Sequence, residues 1–444
     1  MSHIDTTQAA NALKRVYGNR LQELFARHTV TINEFRKSNR KATPRVGGSA
    51  YYFGVRRNDI EGVGARSEGQ YLPEPLEYSP LQGYITPKLL YAVIRLSGLV
   101  IEAGKSNIEA FVNILSDATQ NAFKSLVVDM NRQCWGDGFG KLGTVTTKGT
   151  PATGSTWTVT FNDDMGTRYM RKGMICDFYA SGGAIDQSAS AVRIDSINPA
   201  TNVVTFEAVG TDGKNYRSYH PITAAQSYTK AASSIPVSSQ LVRYGARDVA
   251  YATSDTPVEM VGLLGQYDDG TLLDTFEGIN ADTYAEWRAN IMGNSDVNRN
   301  LSIDLMLAAM DMTLARSGKQ PDIIRMGLGQ RRKYFGLLEG DIRFAPQQIK
   351  GGYENLSFSQ NGAVRMVVDP YAQPNKMFFE VDGAIKRYEL TPIGWGGFDP
   401  NKMHWRENYD QTTMFLRTYV NLGTENRRDL TLLDDLTEPS SLPW

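Results

Sequence analysis

The stretch that decides the fold is residues 107–138, NIEAFVNILSDATQNAFKSLVVDMNRQCWGDG. Ile108, Phe111, Val112, Leu115, Ala118, Thr119, Ala122, Leu126, Met130 and Cys134 recur at i, i+3/i+4 spacing, and polar residues fill the other faces. That pattern predicts one amphipathic helix. From 107 to 135 it would run about 43 Å at ~1.5 Å per residue. Globular helices average nearer 11–12 residues, so this one is unusually long. Gly136 and Gly138 stop it.

Immediately upstream, LSGLVIEAGKSNIEAF (96–111) looks like a phosphate-binding loop: a β-rich run over 89–96, a Gly, then Gly104-Lys105-Ser106 before a helix. A phosphate loop needs four residues between its glycines, so that backbone amides wrap the phosphates. Here Leu99 stands where the first Gly must be, and Glu102 would meet a phosphate with like charge. Ser106-Asn107-Ile108-Glu109 reads instead as an S-x-x-E capping box that starts the long helix. Gly98 and Gly104 are then expected to allow a tight chain reversal, and Lys105 is an ordinary charge.

Further upstream, Ala10, Leu13, Val16, Tyr17, Leu21, Leu24 and Phe25 predict an amphipathic helix over 7–27, followed by a basic extended arm, KSNRKATPRVGG. Residues 48–86 are rich in Gly, Arg, Tyr and Pro, in short β-like pieces without a core-forming period. A loop of roughly 40 residues with little core is rare and usually functional.

Downstream, residues 144–235 turn rich in Thr, Ser, Gly and Val. Alternation in WTVTF, AVRIDSI and NVVTFEAV, with the turn NPATN, predicts a small all-β insertion. LSIDLMLAAMDMTLARSG is a helix with Ser302 as cap and Gly318 as stop. PDIIRM, VRMVVDP, KMFFEVDG and IKRYELTPI are strands, GQRRKYFGLLEG a short helix, and HWRENYDQTTMFLRTYVNLG a long twisted strand. Helices and strands alternate here as in an α+β lobe.

At 444 residues the chain exceeds one core and implies two or three lobes. No window approaches ~18 uninterrupted apolar residues, so no membrane span is expected. The cysteines, Cys134 and Cys176, sit in unlike contexts, which argues against a disulfide framework and for a reducing compartment. A formal charge of −1 argues against a dedicated nucleic-acid binder. Lys and Arg nevertheless crowd residues 1–45, while Asp429, Asp434, Asp435 and Glu438 make the other end acidic, a distribution that suits self-association or a nearby polyanion.

Nothing converges on an active site, and no cofactor or metal is implied. Asp129-x-Asn131-x-Gln133 begins like a calcium loop, but Cys134 occupies the Gly position and the run lies mid-helix. Asp369 before Pro370 reads as a turn start, and the Asp163-Asp164 and Asp268-Asp269 pairs as solvated loops. His220 and His404 are isolated.

The order of parts resembles the tailed-phage major capsid protein of the HK97-like fold, over nearly the whole chain. The stretches that carry the resemblance are residues 107–138, PVEMVGLLGQYDDG…TFEGINADTYAEW, DIIRMGLGQRRKYFGLLEGDIRFAP, VVDPYAQPNKMFFEVDG and YVNLGTENRRDLTLLDDL. The resemblance implies an α+β chain with an N-arm (1–47), an E-loop (48–87), a P-domain with the spine helix (88–143), the β insertion (144–235), a P-domain continuation and linker (236–300), an A-domain (301–402) and a C-terminal strand returning to the P-domain (403–444). It also implies a non-enzymatic shell protein, assembled in the host cytoplasm into hexamers and pentamers of an icosahedral virion capsid around double-stranded DNA touched without sequence preference. Partners would be a portal, a decoration protein and a separate scaffolding protein, since only about 45 residues precede the loop and no cleaved segment is expected. The family's Lys–Asn cross-link finds no placement on this sequence. Arm and loop residues expected at subunit contacts are Arg15, Arg36, Arg40, Arg56, Arg57, Asp59, Glu61, Arg66 and Glu68. An encapsulin-like compartment shell and a phosphate-loop NTPase are the competing functions.

Overall fold

A computed structural model of the chain describes residues 30–45, 48–56, 63–74, 80–105, 108–147, 156–162, 166–179, 192–207, 237–247, 257–339, 357–359, 363–396, 404–405 and 410–439. The helix expected over 7–27, the Ser106 cap, Asp163-Asp164 and His220 lie outside these residues.

The described chain begins with a short helix, α1 (Val30–Glu34), and three strands, β1 (Thr43–Arg45), β2 (Gly48–Val55) and β3 (Leu81–Ile85), paired antiparallel in that order. Next come β4 (Lys88–Ser97), α2 (Gly98–Lys105) and the long helix α3 (Ile108–Gln133), which has 26 residues. The expected chain reversal at 98–104 is thus a helix. The two glycines suggest a turn, but Gly98 serves close packing: its N–H donates to the Asp410 carbonyl at 2.9 Å, and a Cβ there would collide with the Asp410 carboxyl. The apolar run between the glycines then continues as helix.

The next six strands are β5 (Lys141–Thr147), β6 (Thr156–Phe161), β7 (Ile175–Tyr179), β8 (Val192–Asn198), β9 (Val203–Glu207) and β10 (Gln240–Arg243). They close into an antiparallel barrel in the order β10-β5-β6-β9-β8-β7. Its interior is filled by Leu142, Val145, Val159, Phe161, Cys176, Phe178, Val192, Ile194, Val204, Phe206 and Leu241. Closure leaves no exposed edge. The β region therefore begins and ends outside 144–235, because β10 is the strand that seals it.

The last part contains the hairpin β11 (Thr275–Phe276) and β12 (Ile279–Asn280), then β13 (Asn290–Met292), α4 (Ile303–Ser317), β14 (Ile323–Met326), α5 (Leu328–Glu339), β15 (Ser357–Ser359), β16 (Ala363–Val368) and β17 (Met377–Glu380). It ends with β18 (Ile385–Trp395), β19 (His404–Trp405), β20 (Gln411–Thr424) and β21 (Leu430–Leu433). Ser302 caps α4 by accepting the Leu305 N–H, and Gly318 closes it at φ 73°.

Two sheets organise the body. One is mixed, in the order β13-β21-β17-β14-β16-β15. It draws β13 and β21 from either side of residues 301–402, so the sheet is wider than the lobe read from sequence, and the last strand does not stay with β20. Met377, Phe379 and Leu433 pack on one face with Met306 and Met310 of α4; Phe378, Leu430 and Leu432 pack on the other with α3. Burial on both faces explains the unbroken apolar run MFFE. In the other sheet β20 is central, with β4 along one edge over 411–420 and β18 and β19 along the opposite edge. Leu90, Leu416, Val420 and Leu422 of this sheet meet Leu126, Met130 and Cys134 of α3. Each fully buried Leu contributes about 2 kcal/mol, so this seam fixes the helix along the sheet. Cys134 and Cys176 are free and buried in separate cores, and burial pushes both thiols upward.

Candidate inter-subunit surface

The β2–β3 hairpin is anchored at one end and bare at the other. At its base, Tyr51, Phe53 and Ile85 join a core with Val261, Leu273, Phe276, Ile279, Trp287 and Tyr388. Phe53 stacks on Trp287 at 5.9 Å, and the Tyr84 N–H donates to the Glu277 carbonyl at 2.8 Å. The base thus has a real core, which the irregular apolar spacing of 48–86 concealed: its partners come from 261–287 and 388.

At the tip the packing ends. Every described residue from Val63 to Glu74 except Pro73 is exposed, including Val63 at 93%, Tyr71 at 97% and Leu72 at 84%. The tip still has local order. The Gln70 N–H donates to the Ser67 carbonyl at 3.1 Å, and Gly69 takes φ 82°, where a side chain would be strained. Arg66 donates to the Tyr71 and Ala65 carbonyls at 3.2 and 3.0 Å. Two large apolar side chains on a shaped, solvent-facing turn are what a docking element presents.

The arm is fastened to its own chain. Asp369 is fully buried, and its Oδ2 accepts the Thr31 N–H at 3.3 Å, the Thr31 hydroxyl at 2.5 Å and the Asn131 amide at 3.1 Å. Its Oδ1 accepts the Tyr371 N–H at 2.8 Å, the turn contact expected of Asp before Pro. Asn131 in turn accepts the Ile32 N–H at 3.1 Å. Phe35 lies under the Arg325 guanidinium at 4.5 Å, and Arg325 pairs with Glu380 at 2.6 Å in the buried core. Beyond α1 a row of ion pairs follows. Arg36 meets Asp382, Lys37 meets Glu389 at 3.1 Å, and Arg40 grips both oxygens of Glu425 at 2.7 Å. Arg40 donation is the main reason the Glu425 carboxyl falls to about 2.

The contact residues expected from sequence therefore separate. Arg36 and Arg40 clasp their own chain. Arg56 is exposed at the end of β2, and Arg66 and Glu68 sit on the exposed tip. Arg15, Arg57, Asp59 and Glu61 lie outside the described residues. The clasp formed by Thr31, Asn131, Asp369, Asp382 and Glu425 escaped sequence reasoning because its contacts join residues between 99 and 385 positions apart; only the local turn at Asp369 was legible.

Other candidate motifs dissolve into structure. The phosphate-loop interior is α2. The Asp129–Gln133 run is helical; Asp129 meets Arg132 at 3.0 Å and also Arg243 of β10, while Arg132 reaches Glu259 at 2.6 Å. Burial pushes the Asp129 carboxyl up, but the two guanidinium groups outweigh it and hold it well below the usual range. This cluster ties the barrel to α3. Asp268 is buried rather than solvated: it accepts the Gly270, Leu272 and Leu273 N–H groups at 3.0 Å each and so shapes the loop beneath the hairpin. Among the described residues no three His, Cys, Asp or Glu side chains are grouped to hold a metal. No described helix is long and apolar enough to cross a membrane.

No protein-family model and no curated protein matches the chain. Solved structures do. The capsid chain of cyanophage A-1(L) aligns with TM-score 0.54 at 12% identity, over 98% of this chain and 99% of that one. The capsid of a native GTA particle aligns at 0.46 with 9% identity, over 98% and 100% of the two chains. That of Myoviridae phage XM1 aligns at 0.44 with 9% identity, over 96% and 98%. The chain shares the fold of the cyanophage capsid chain from end to end, a mixed α and β architecture of the HK97-like kind.

Proposed function

We propose that this protein is a structural major capsid protein of a tailed phage, a repeated subunit of an icosahedral shell. The observation that carries the reading is the end-to-end fold match to a capsid chain, with almost nothing left over on either side. The exposed apolar loop tip agrees with it, since such a segment gains burial only from a neighbour. Many modest contacts repeated around closed symmetry make a stable shell.

On this reading α3 is the spine helix, the β4–β20–β18 sheet belongs to the P-domain, the six-stranded sheet and its helices form the A-domain, and the barrel is the insertion domain. The β2–β3 hairpin is the E-loop. Within residues 31–45, Arg36, Lys37 and Arg40 are paired with acids of the same chain, so these three charges of the basic arm are not free for DNA. The exposed Arg56, Arg66 and Glu68 remain as loop contacts. The role is structural, and the site of action is the virion capsid. DNA packaging, a separate scaffold, a portal and decoration proteins follow from the same reading. Sedimentation of the purified full chain tests it: megadalton particles are expected, and a 49.3 kDa monomer at every concentration, with scaffold present, would overturn it.

A further inference from the structure

We propose that Glu277 is a proton-operated latch at the root of the β2–β3 hairpin: uncharged, it holds the hairpin against the body, and ionised, it lets the hairpin swing. The latch is a property of the single subunit and does not depend on the shell reading above.

The β11–β12 hairpin turns through Glu277 and Gly278, both left-handed, at φ 51° and 83°. A two-residue turn of this kind normally takes Asn, Asp or Gly at its first position, and a longer side chain is strained there. The contacts that hold this strained residue are specific. Its carbonyl accepts the Tyr84 N–H of β3 at 2.8 Å, and the Tyr84 ring lies so close over Gly278 that a Cβ would collide with it. Its Oε1 accepts the Thr424 N–H at the end of β20 at 3.0 Å. A Cβ on Gly423 would strike both that Oε1 and the Ile85 side chain, so the carboxyl is wedged between β3 and β20. One residue thus ties the hairpin to the sheet, by its backbone on one side and its carboxyl on the other.

That carboxyl is poorly placed to carry a charge. Glu277 as a residue is half-buried, yet its Oε2 is sealed from water and takes no hydrogen bond from any described residue. Arg427 of the 427–429 turn faces it, but Nε and Nη2 of that guanidinium are held by the carbonyls of Gln266, Gly265 and Asp268, its plane lies 4.3 Å from the Phe276 ring, and its Nη1 is unpartnered. Glu425 at the end of β20 adds a like charge, itself gripped by Arg40, and Tyr388 of β18 faces Glu277 with a neutral phenol. Burial outweighs the Thr424 bond and the Arg427 charge and pushes the carboxyl well above its ordinary 4.5. A group raised in this way has no effect below pH 4.5 and weakens the closed root as pH rises from there towards its higher value. The carboxylate is relieved when water reaches Oε2, which requires the root to open and the Tyr84 tie to part. The hairpin tip is uncovered, so the tip itself does not oppose the swing.

Hydrogen exchange of the full chain, followed over residues 81–88 from about pH 5 to about pH 9 and corrected for intrinsic rates, tests the latch. Protection of β3 is expected to fall about tenfold or more across that range, while β14 in the core stays protected. Glu277→Gln keeps the shape and the Oε1 acceptor without the charge, and should hold β3 at its low-pH protection throughout. Lys88 begins β4 and titrates at about 8, so Lys88→Met should leave the fall in place. A flat profile in the unaltered chain would overturn the proposal without recourse to any variant. A fall that persists in Glu277→Gln, or that vanishes in Lys88→Met, would overturn it by assigning the effect elsewhere. Loss of protection in β14 together with β3 would also overturn it, since the whole subunit and not the root would then be loosening.

Discussion

Replacing Asp369 by Asn should release the arm from the body. The carboxylate receives three donors on Oδ2 and one on Oδ1. An amide cannot serve both sets. Turned one way, its NH2 faces the Thr31 N–H and the Asn131 amide; turned the other way, it faces the Tyr371 N–H. The cheaper orientation still leaves one donor unmet and weakens the others from charged to neutral acceptance, a loss of about 2–3 kcal/mol. Thr31→Val removes only the hydroxyl bond and should cost about 1 kcal/mol. Because both act on one node, the double variant should fall short of additivity by about 1 kcal/mol. Urea midpoints of the four proteins give the cycle, and limited proteolysis within 31–45 reports arm release. An Asp369→Asn midpoint within about 0.5 kcal/mol of wild type, with unchanged proteolysis, would refute the role of Asp369 as the fastening point.

Three further outcomes are expected. The Glu425 carboxyl is held at about 2, below its ordinary 4.5, so the stability it contributes is whole above pH 4.5 and is lost as pH falls towards 2. Glu425→Gln should flatten the acid limb of the pH–stability curve in that window and cost about 1 kcal/mol at neutral pH, the pair being partly solvated. Burial pushes Lys88 down to about 8 from 10.5, so its charge opposes folding below pH 8 and that penalty is relieved as pH rises to 10.5; Lys88→Met should remove this rise, read as the difference in urea midpoints at pH 7 and pH 10. Deleting residues 56–70 should shift the core transition by less than about 1 kcal/mol, since the described tip buries little, yet abolish assembly; normal particles from the deletion would refute the loop assignment.

What sequence made legible was periodic and local. α3 was visible in its apolar stripe, and α4 in Ser302 and Gly318. Strands β6, β8 and β9 were visible because each alternates. β7 is buried almost throughout, so ICDFY shows no alternation, and β10 is only four residues long. Closure of the barrel depends on β10 pairing with both β5 and β7, a non-local event. The 98–105 segment misled because its glycines resemble a turn, while Asp410, which Gly98 packs against, lies over 300 residues away. The arm clasp was hidden for the same reason: nothing near Arg40 announces Glu425. The candidate contact surface was half legible, since loop length pointed to the tip, whereas the core at the hairpin's base was hidden because its partners lie at 261–287 and 388.

Cryo-electron microscopy of the assembled full-length protein tests the central claim most directly. Closed icosahedral shells built of five- and six-fold rings, with this fold in every subunit, are the expected result. Particles of any other symmetry, or a protein that stays monomeric at every concentration, would contradict it.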